Sequence, residues 1–246
     1  MERAAAVLFD ELNEARAFAD WIESGGGADL LVSLIPDMAL LKNTEQNGYH
    51  RDDVWTHSML VLREIERLHD EEFVSFEGYG QYLSALFSGR LDLHTTRYGA
   101  LRLAALLHDL GKPEVKGESD GRITFIDHER AGAEKMEQIA RTLDLTGLEQ
   151  DYVTKLIRNH LRPLLLGDLE ETSHRAISRL IRAVGEHLPD LAVLSWADVD
   201  ATRGAMSTDI RAERHHRFVL ALIGHFRAGI PEKRRGEKPE KRPENS

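Results

Sequence analysis

The sequence predicts an all-α domain, and three observations carry that reading. Apolar residues recur at helical spacing in nearly every segment. Glycine, proline and capping residues fall between those segments. The one stretch of different character is Lys116 to Ile126, where Asp120-Gly121 suits a loop or a small hairpin.

Taken in order, Ala4 to Ile22 is apolar at helical spacing and ends at Ser24-Gly25-Gly26-Gly27. Asp29 to Ile35 is a short helix stopped by Pro36, and Asp37 to Leu41 a further turn. Asn43 to Arg51 is polar loop. Asp52 or Asp53 can cap a long helix reaching about His69, with Val54, His57, Val61, Ile65 and Leu68 on its inner face. Phe73 to Ser88 is interrupted by Gly78 and Gly80 and belongs to a stretch, 70–98, that serves as lid or as packing. Thr96 to Leu110 is strongly helical. His128 to Leu143 follows, with Asp127 as its expected cap, then Leu148 to His160, stopping before Pro163. Ser173 to Val184, capped by Thr172 or Ser173, precedes Pro189 to Thr202 and Ile210 to Arg227. No repeat or linker divides the chain, so 1–228 reads as a single domain. From Gly229 the Pro, Lys, Arg and Glu content reads as a disordered charged tail over 229–246.

The 246 residues are 41% hydrophobic, enough for a sizeable core. No window approaches 18 apolar residues and no signal-peptide core follows Met1, which predicts no membrane partner. The absence of cysteine excludes disulfides and thiolate metal sites, and fits a cytoplasmic protein. Net charge is −10; residues 232–246 carry six basic and four acidic side chains, so the rest carries about −12. A body this acidic is a poor general binder of duplex DNA or other long nucleic acid. A small phosphate substrate stays compatible with it, because a bound divalent cation would invert the local field.

The chemistry concentrates at His108-Asp109, where an apolar run, Leu101 to Leu107, gives out before Leu110-Gly111-Lys112-Pro113. His57, His128, His160 and Asp198 each lie inside or beside an apolar helical pattern. One such histidine is ordinarily a satisfied core residue. A carboxylate as deep in an apolar run as Asp198 costs several kcal/mol unless it is paired or binds a cation. Burying all six groups calls for a shared partner, and imidazole and carboxylate without thiolate suit a divalent metal: Mn, Fe, Co, Ni, Mg or Zn. Asp200 is an alternative to Asp198, though the preceding apolar run favours the earlier residue. His69, His94, His174, His187, His215, His216 and His225 lie among charges or near helix ends and read as mostly solvated; His50 lies close to the mouth of the site. Lys112 is either a phosphate ligand or a solvated helix-end lysine, and Arg51, Arg130 and Arg162 are candidates to grip phosphate oxygens.

The order His57, His108-Asp109, Asp198, with the segment Ala104-Ala-Leu-Leu-His-Asp-Leu-Gly-Lys-Pro113, resembles the HD-domain metal-dependent phosphohydrolase superfamily. The added His128 and His160 resemble members able to hold a second metal. More narrowly, Tyr49-His-Arg-Asp-Asp-Val-Trp-Thr-His57 is similar to the C-terminal HD domain of bacterial CCA-adding and poly(A) polymerase-type enzymes, over roughly residues 25 to 205. The resemblance implies a helical HD bundle. It also implies a first metal on His57, His108, Asp109 and Asp198, and a second bridged by Asp109 to His128 and His160. Asp109 and Lys112 would be the catalytic pair, and His50, Arg51, Lys112, Arg130 and Arg162 the substrate contacts.

The paired aspartates and Gly-Ser of those polymerases' nucleotidyltransferase head have no match here, and Gly25-Gly26-Gly27 forms no P-loop. Nucleotide addition is therefore not expected, whether the chain is a stand-alone protein or a fragment. The expected activity is hydrolysis of a phosphoester on a nucleotide or RNA end, a 2′,3′-cyclic phosphodiester or a nucleoside monophosphate, by metal-activated water. A dNTP or alarmone hydrolase, a non-catalytic RNA-end-binding module and a nucleotide sensor are the alternatives.

Overall fold

The computed structural model describes residues 2–46, 52–202 and 209–229; His50, Arg51 and, from residue 230, the expected tail lie outside them. The elements are α1 (Glu2–Glu14), α2 (Phe18–Glu23), α3 (Gly27–Leu34), α4 (Met38–Leu41), α5 (Val54–Asp70), α6 (Gly80–Phe87), α7 (Arg97–Leu107), α8 (Lys112–Val115), the strands β1 (Lys116–Ser119) and β2 (Arg122–Phe125), then α9 (His128–Leu143), α10 (Gly147–Asn159), α11 (Leu161–Gly167), α12 (His174–Val184), α13 (Leu188–Ala201) and α14 (Asp209–Arg227). The fold is all-α apart from the β1–β2 hairpin, which is antiparallel and turns through Asp120 and Gly121, both at positive φ. No helix among the described residues is long and apolar enough to cross a membrane.

α7 is the central helix. Every residue from Tyr98 to Leu107 is buried, which is why its sequence is apolar nearly all round rather than striped; the buried Arg102 donates to the Leu12 carbonyl and pairs with Glu66. It packs between α5 and α10, while α13 lies across α5 and carries α14 on its other side. Thr96 caps α7, its side chain accepting from the Gly99 N–H. At the start of these helices, Arg97 donates to both oxygens of Asp190, through Nε at 2.8 Å and Nη2 at 2.6 Å, and Tyr152 Oη donates to the same carboxylate at 2.6 Å. Asp190 is fully buried. Burial and the Asp190 charge push the Tyr152 phenol well up, so it remains a donor. This clamp joins the N-terminal parts of α7, α10 and α13, whose C-terminal ends lead to His108, His160 and Asp198.

Several sequence expectations need correction. Ala4 to Ile22 is two helices, because Glu66 of α5 accepts the Phe18 N–H at 2.7 Å and the Ala19 N–H at 3.3 Å and so caps a new helix at Phe18. Asp127 precedes α9 in left-handed backbone (φ 61°), and its side chain makes no cap hydrogen bond. The helix that ends before His160 resumes at once as α11, with Pro163 in its first turn, where a missing N–H costs nothing. Phe73 to Ser88 is a 3₁₀ turn (Val74–Tyr79) followed by α6, and it is packing: Phe73, Phe76, Leu83 and Phe87 are buried. His187, His215 and His216 are buried, not solvated. His216 stacks on Trp196 with ring centroids 3.6 Å apart, and His215 Nε2 lies 3.1 Å from Ser195 Oγ, both across the α13–α14 contact.

Candidate metal centre

Five helix ends deliver the site. Asp53 caps α5, accepting the Thr56 N–H at 2.8 Å and, through its other oxygen, the Asn43 N–H at 2.9 Å. Burial opposes the charge on Asp53, but these backbone donors prevail and hold its pKa down. The fixed start of α5 sets His57 in its first turns. His108 closes α7, and Asp109 follows it into the turn leading to α8. His128 opens α9, His160 joins α10 to α11, and Asp198 lies in the last turn of α13.

Gly111 explains how these ends approach one another. A Cβ there would lie 2.2 Å from the His128 carbonyl oxygen and 2.5 Å from the Gly132 nitrogen, both backbone atoms. Only a glycine lets the His108-Asp109 turn press against the start of α9.

The side chains converge on Asp109. Its Oδ2 lies 3.2 Å from His108 Nε2 and 3.7 Å from His57 Nε2. Its Oδ1 lies 3.1 Å from His128 Nε2 and 3.7 Å from His160 Nε2. Asp198 Oδ1 closes the first group, 3.0 Å from His57 Nε2 and 3.9 Å from His108 Nε2. His57, His108, Asp109, His128 and His160 are all buried; Asp198 is the most exposed of the six, its side chain at 15%.

The hydrogen bonds define which nitrogen is available. His108, His128 and His160 each place Nδ1 at 2.7–2.8 Å from a carbonyl oxygen three residues earlier, of Ala105, Phe125 and Ile157. A carbonyl only accepts, so Nδ1 carries the proton and Nε2 presents a lone pair to the centre. His108 Nε2 is fully buried without a hydrogen-bond partner. His128 Nε2 and His160 Nε2 face each other at 3.2 Å with Asp109 Oδ1 beside them. Three acceptors meeting there are stable only around an added proton or a cation.

Electrostatics agree. Burial works against charge throughout, yet His108, Lys112 and His128 hold Asp109 well below the ordinary carboxylate range. His57 and His108 hold Asp198 down in the same way. Burial, with the charges of His108 and His128, pushes His160 down to about 3 and keeps it neutral at ordinary pH. Burial opposes a charge on His108, but Asp109 and Asp198 raise its pKa, so the centre attracts positive charge; two ionised carboxylates and inward-facing imidazoles form a donor set that fits divalent metal ions. Among the described residues, three combinations have ligand atoms all within 4.8 Å of one another: His57 with His108 and Asp109; His108 with His160 and Asp198; and Asp109 with His128 and His160.

The remaining candidates divide. Lys112 is buried rather than solvated, its ammonium 2.6 Å from Asp109 Oδ2 and donating to Gln46 Oε1 at 2.6 Å. Gln46 is a site residue that sequence reasoning missed, because it sits in a polar loop with no periodicity to mark it. Arg130 is exposed and held by Glu134 at 3.0 Å. Arg162 is half-buried and donates to Asn159 Oδ1 at 2.8 Å. Neither meets the six converging side chains. Asp200 does not replace Asp198: it pairs with His216 at 3.0 Å and accepts from Trp196 Nε1 at 3.1 Å.

Comparison with known proteins adds the family. The HD domain profile matches residues 54–198, a span that begins with the first residue of α5 and ends at Asp198. An A-adding tRNA nucleotidyltransferase of Deinococcus radiodurans is 30% identical over 183 residues, 74% of this chain and 35% of the relative. A CC-adding tRNA nucleotidyltransferase of Thermus thermophilus is 28% identical over 177 residues, 71% of this chain and 34% of the relative. A bifunctional uridylyltransferase/uridylyl-removing enzyme of Acinetobacter baumannii is 28% identical over 205 residues, 82% of this chain and 21% of the relative. The chain thus spans about a third or less of the length of these relatives.

Proposed function

This chain belongs to the HD domain family, and from that membership we propose that it hydrolyses a phosphoester of a nucleotide or of an RNA end, the 2′,3′-cyclic phosphodiester or a nucleoside monophosphate. The observation that carries the reading is the division of Asp109, one oxygen toward His57 and His108 and the other toward His128 and His160. Membership of a metal-dependent phosphohydrolase superfamily and this donor set point the same way. Two of the relatives are named as tRNA nucleotidyltransferases and the third for both transferring and removing a uridylyl group; the removing half of that name favours a nucleotidyl ester as the bond broken.

In this reading His57, His108, Asp109 and Asp198 hold one divalent ion, and Asp109, His128 and His160 a second. When bound, such ions lower the pKa of water and neutralise the oxygens of a phosphoryl group in displacement. The protein's own contribution is orientation. The carbonyls of Ala105, Phe125 and Ile157 fix three imidazoles with Nε2 inward. Lys112, steadied by Gln46 and Asp109, supplies a fixed positive charge for phosphate oxygens. Asp198 is the ligand carboxylate nearest to solvent and is suited to orienting the attacking water.

The test replaces His108-Asp109 by Ala-Ala. Wild type and variant are assayed with Mn²⁺, Co²⁺, Ni²⁺ or Mg²⁺ on 2′,3′-cyclic and linear nucleoside monophosphates and on RNA ending in a cyclic phosphate. Activity should fall by about a thousandfold or more in the variant, as when the ligands of an essential ion are lost. A wild type as inert as the variant on every substrate overturns the reading.

A further inference from the structure

Two stretches, 152–167 and 172–185, contain no Asp or Glu, in a chain whose net charge is −10. Between them they carry Lys155, Arg158, Arg162, Arg175, Arg179 and Arg182. The fold sets them side by side, because α12 packs on α10 and α11. Arg175, Arg179 and Arg182 recur at intervals of four and three and so share one face of α12, and all three are exposed. At 1.5 Å per residue their stripe is about 10 Å long. Arg158 and Arg162 stand two residues either side of His160, at the end of α10 that reaches the metal centre.

Among the described residues, none of the five arginines meets a carboxylate, whereas Lys155 is paired with Asp151 at 2.6 Å. Some arginines elsewhere do meet carboxylates: Arg63 pairs with Asp20 and Glu23, Arg67 with Glu64, Arg130 with Glu134 and Arg141 with Glu137. Burial first, and then the Arg179 charge, lower the pKa of Arg162, so α11 and α12 present positive charge to one another. No large apolar side chain of α12 is exposed, since Leu180, Ile181 and Val184 are buried and Ile177 is half-buried against the core, which leaves this face nothing large to insert into a bilayer.

We propose that this arginine face carries the phosphate backbone of a single-stranded RNA whose 3′ end enters the metal centre, so that the substrate is a strand end rather than a free mononucleotide. Guanidinium groups suit phosphates bidentately, and the acidic remainder of the body limits the contact to a short segment. What happens to the end rests on the phosphohydrolase reading; the binding does not.

The test uses the Mn²⁺-loaded full chain and a fluorescent twelve-nucleotide RNA with a plain 3′-hydroxyl, followed by anisotropy across a salt series. Four engaged phosphates predict a log–log slope of about −3. Arg175→Glu/Arg179→Glu should weaken binding by about tenfold or more and flatten the slope by about 1.4, while Arg175→Lys/Arg179→Lys stays close to wild type. The double Glu variant should also lose, by about tenfold, the preference in kcat/KM for a cyclic-phosphate dodecamer over cyclic mononucleotide. Circular dichroism melting checks that each variant is folded. Equal RNA binding by wild type and the Glu variant overturns the proposal, as does wild-type binding to phosphatidylglycerol vesicles without binding to RNA. Hydrolysis of mononucleotide without RNA binding sinks the surface and leaves the hydrolase. RNA binding at the expected slope without hydrolysis of any ester supports the surface and sinks the hydrolase.

Discussion

Asp109 touches the two halves of its surroundings through different oxygens, so substitutions around it should have unequal effects. Of the two oxygens of Asp109, His128 and His160 face Oδ1, although His160 also lies within reach of His108 and Asp198. His128→Ala and His160→Ala are therefore expected to bring metal content from two ions per chain toward one and to lower activity by about 10–100-fold, the scale seen when a metal site loses support. Asp109→Asn disturbs both sides at once and is expected to lose both ions. Elemental analysis of the purified variants decides between these patterns. Three equal metal contents would show that Asp109 does not bridge. Lys112 bears on the same carboxylate. Its ammonium already lies on Asp109 Oδ2 and is held there by Gln46, so the pocket keeps a positive charge of its own beside the carboxylate.

The elements matter through how closely they approach. The Gly111 turn touches α9 backbone to backbone, and Gly111→Ala cannot be absorbed by a rotamer change. We expect it to cost about 1–3 kcal/mol, the range for overpacking, and to draw His128 away from Asp109 with loss of the second ion. Urea denaturation together with metal analysis checks this; unchanged stability with full metal content would show that α8 and α9 separate freely. The same distinction between local and distant causes explains what the sequence discloses. α5 is legible because Asp53 and an apolar stripe are local signals, and the hairpin because Asp120-Gly121 is a local turn. The break after Glu14 is invisible, because its cause is Glu66, 48 positions from Phe18. α11 is missed because proline reads as a stop, although a first turn accepts it. At the site, six chemically distinctive residues in apolar contexts point to one another along the chain, and they meet in space. Gln46 has no such context, and the burial of His215 and His216 arises only when α14 packs on α13.

Over the whole molecule, charge is segregated rather than absent: a chain of net −10 holds a buried cation-seeking centre at one end of its long helices and a clamp at the other. Buried histidines outside the centre then couple stability to pH. His215 is buried between α13 and α14 against Ser195, and burial, with the His216 charge, pushes its pKa down from 6.5 to about 4. Above pH 6.5 the imidazole is neutral both folded and unfolded, and its contribution is fully present. As pH falls below 6.5 the unfolded chain takes up a proton that the folded chain refuses until about pH 4. Stability should therefore fall through this window, by about 3 kcal/mol from His215 alone. The measurement is the urea unfolding free energy at pH 7.5 and 4.5, for wild type and His215→Gln, with EDTA present so that proton uptake by metal ligands is common to both. The loss on acidification should be smaller in the variant by most of that amount. An identical loss in both proteins would place the acid sensitivity elsewhere and would mean that the α13–α14 contact accepts a charged imidazole.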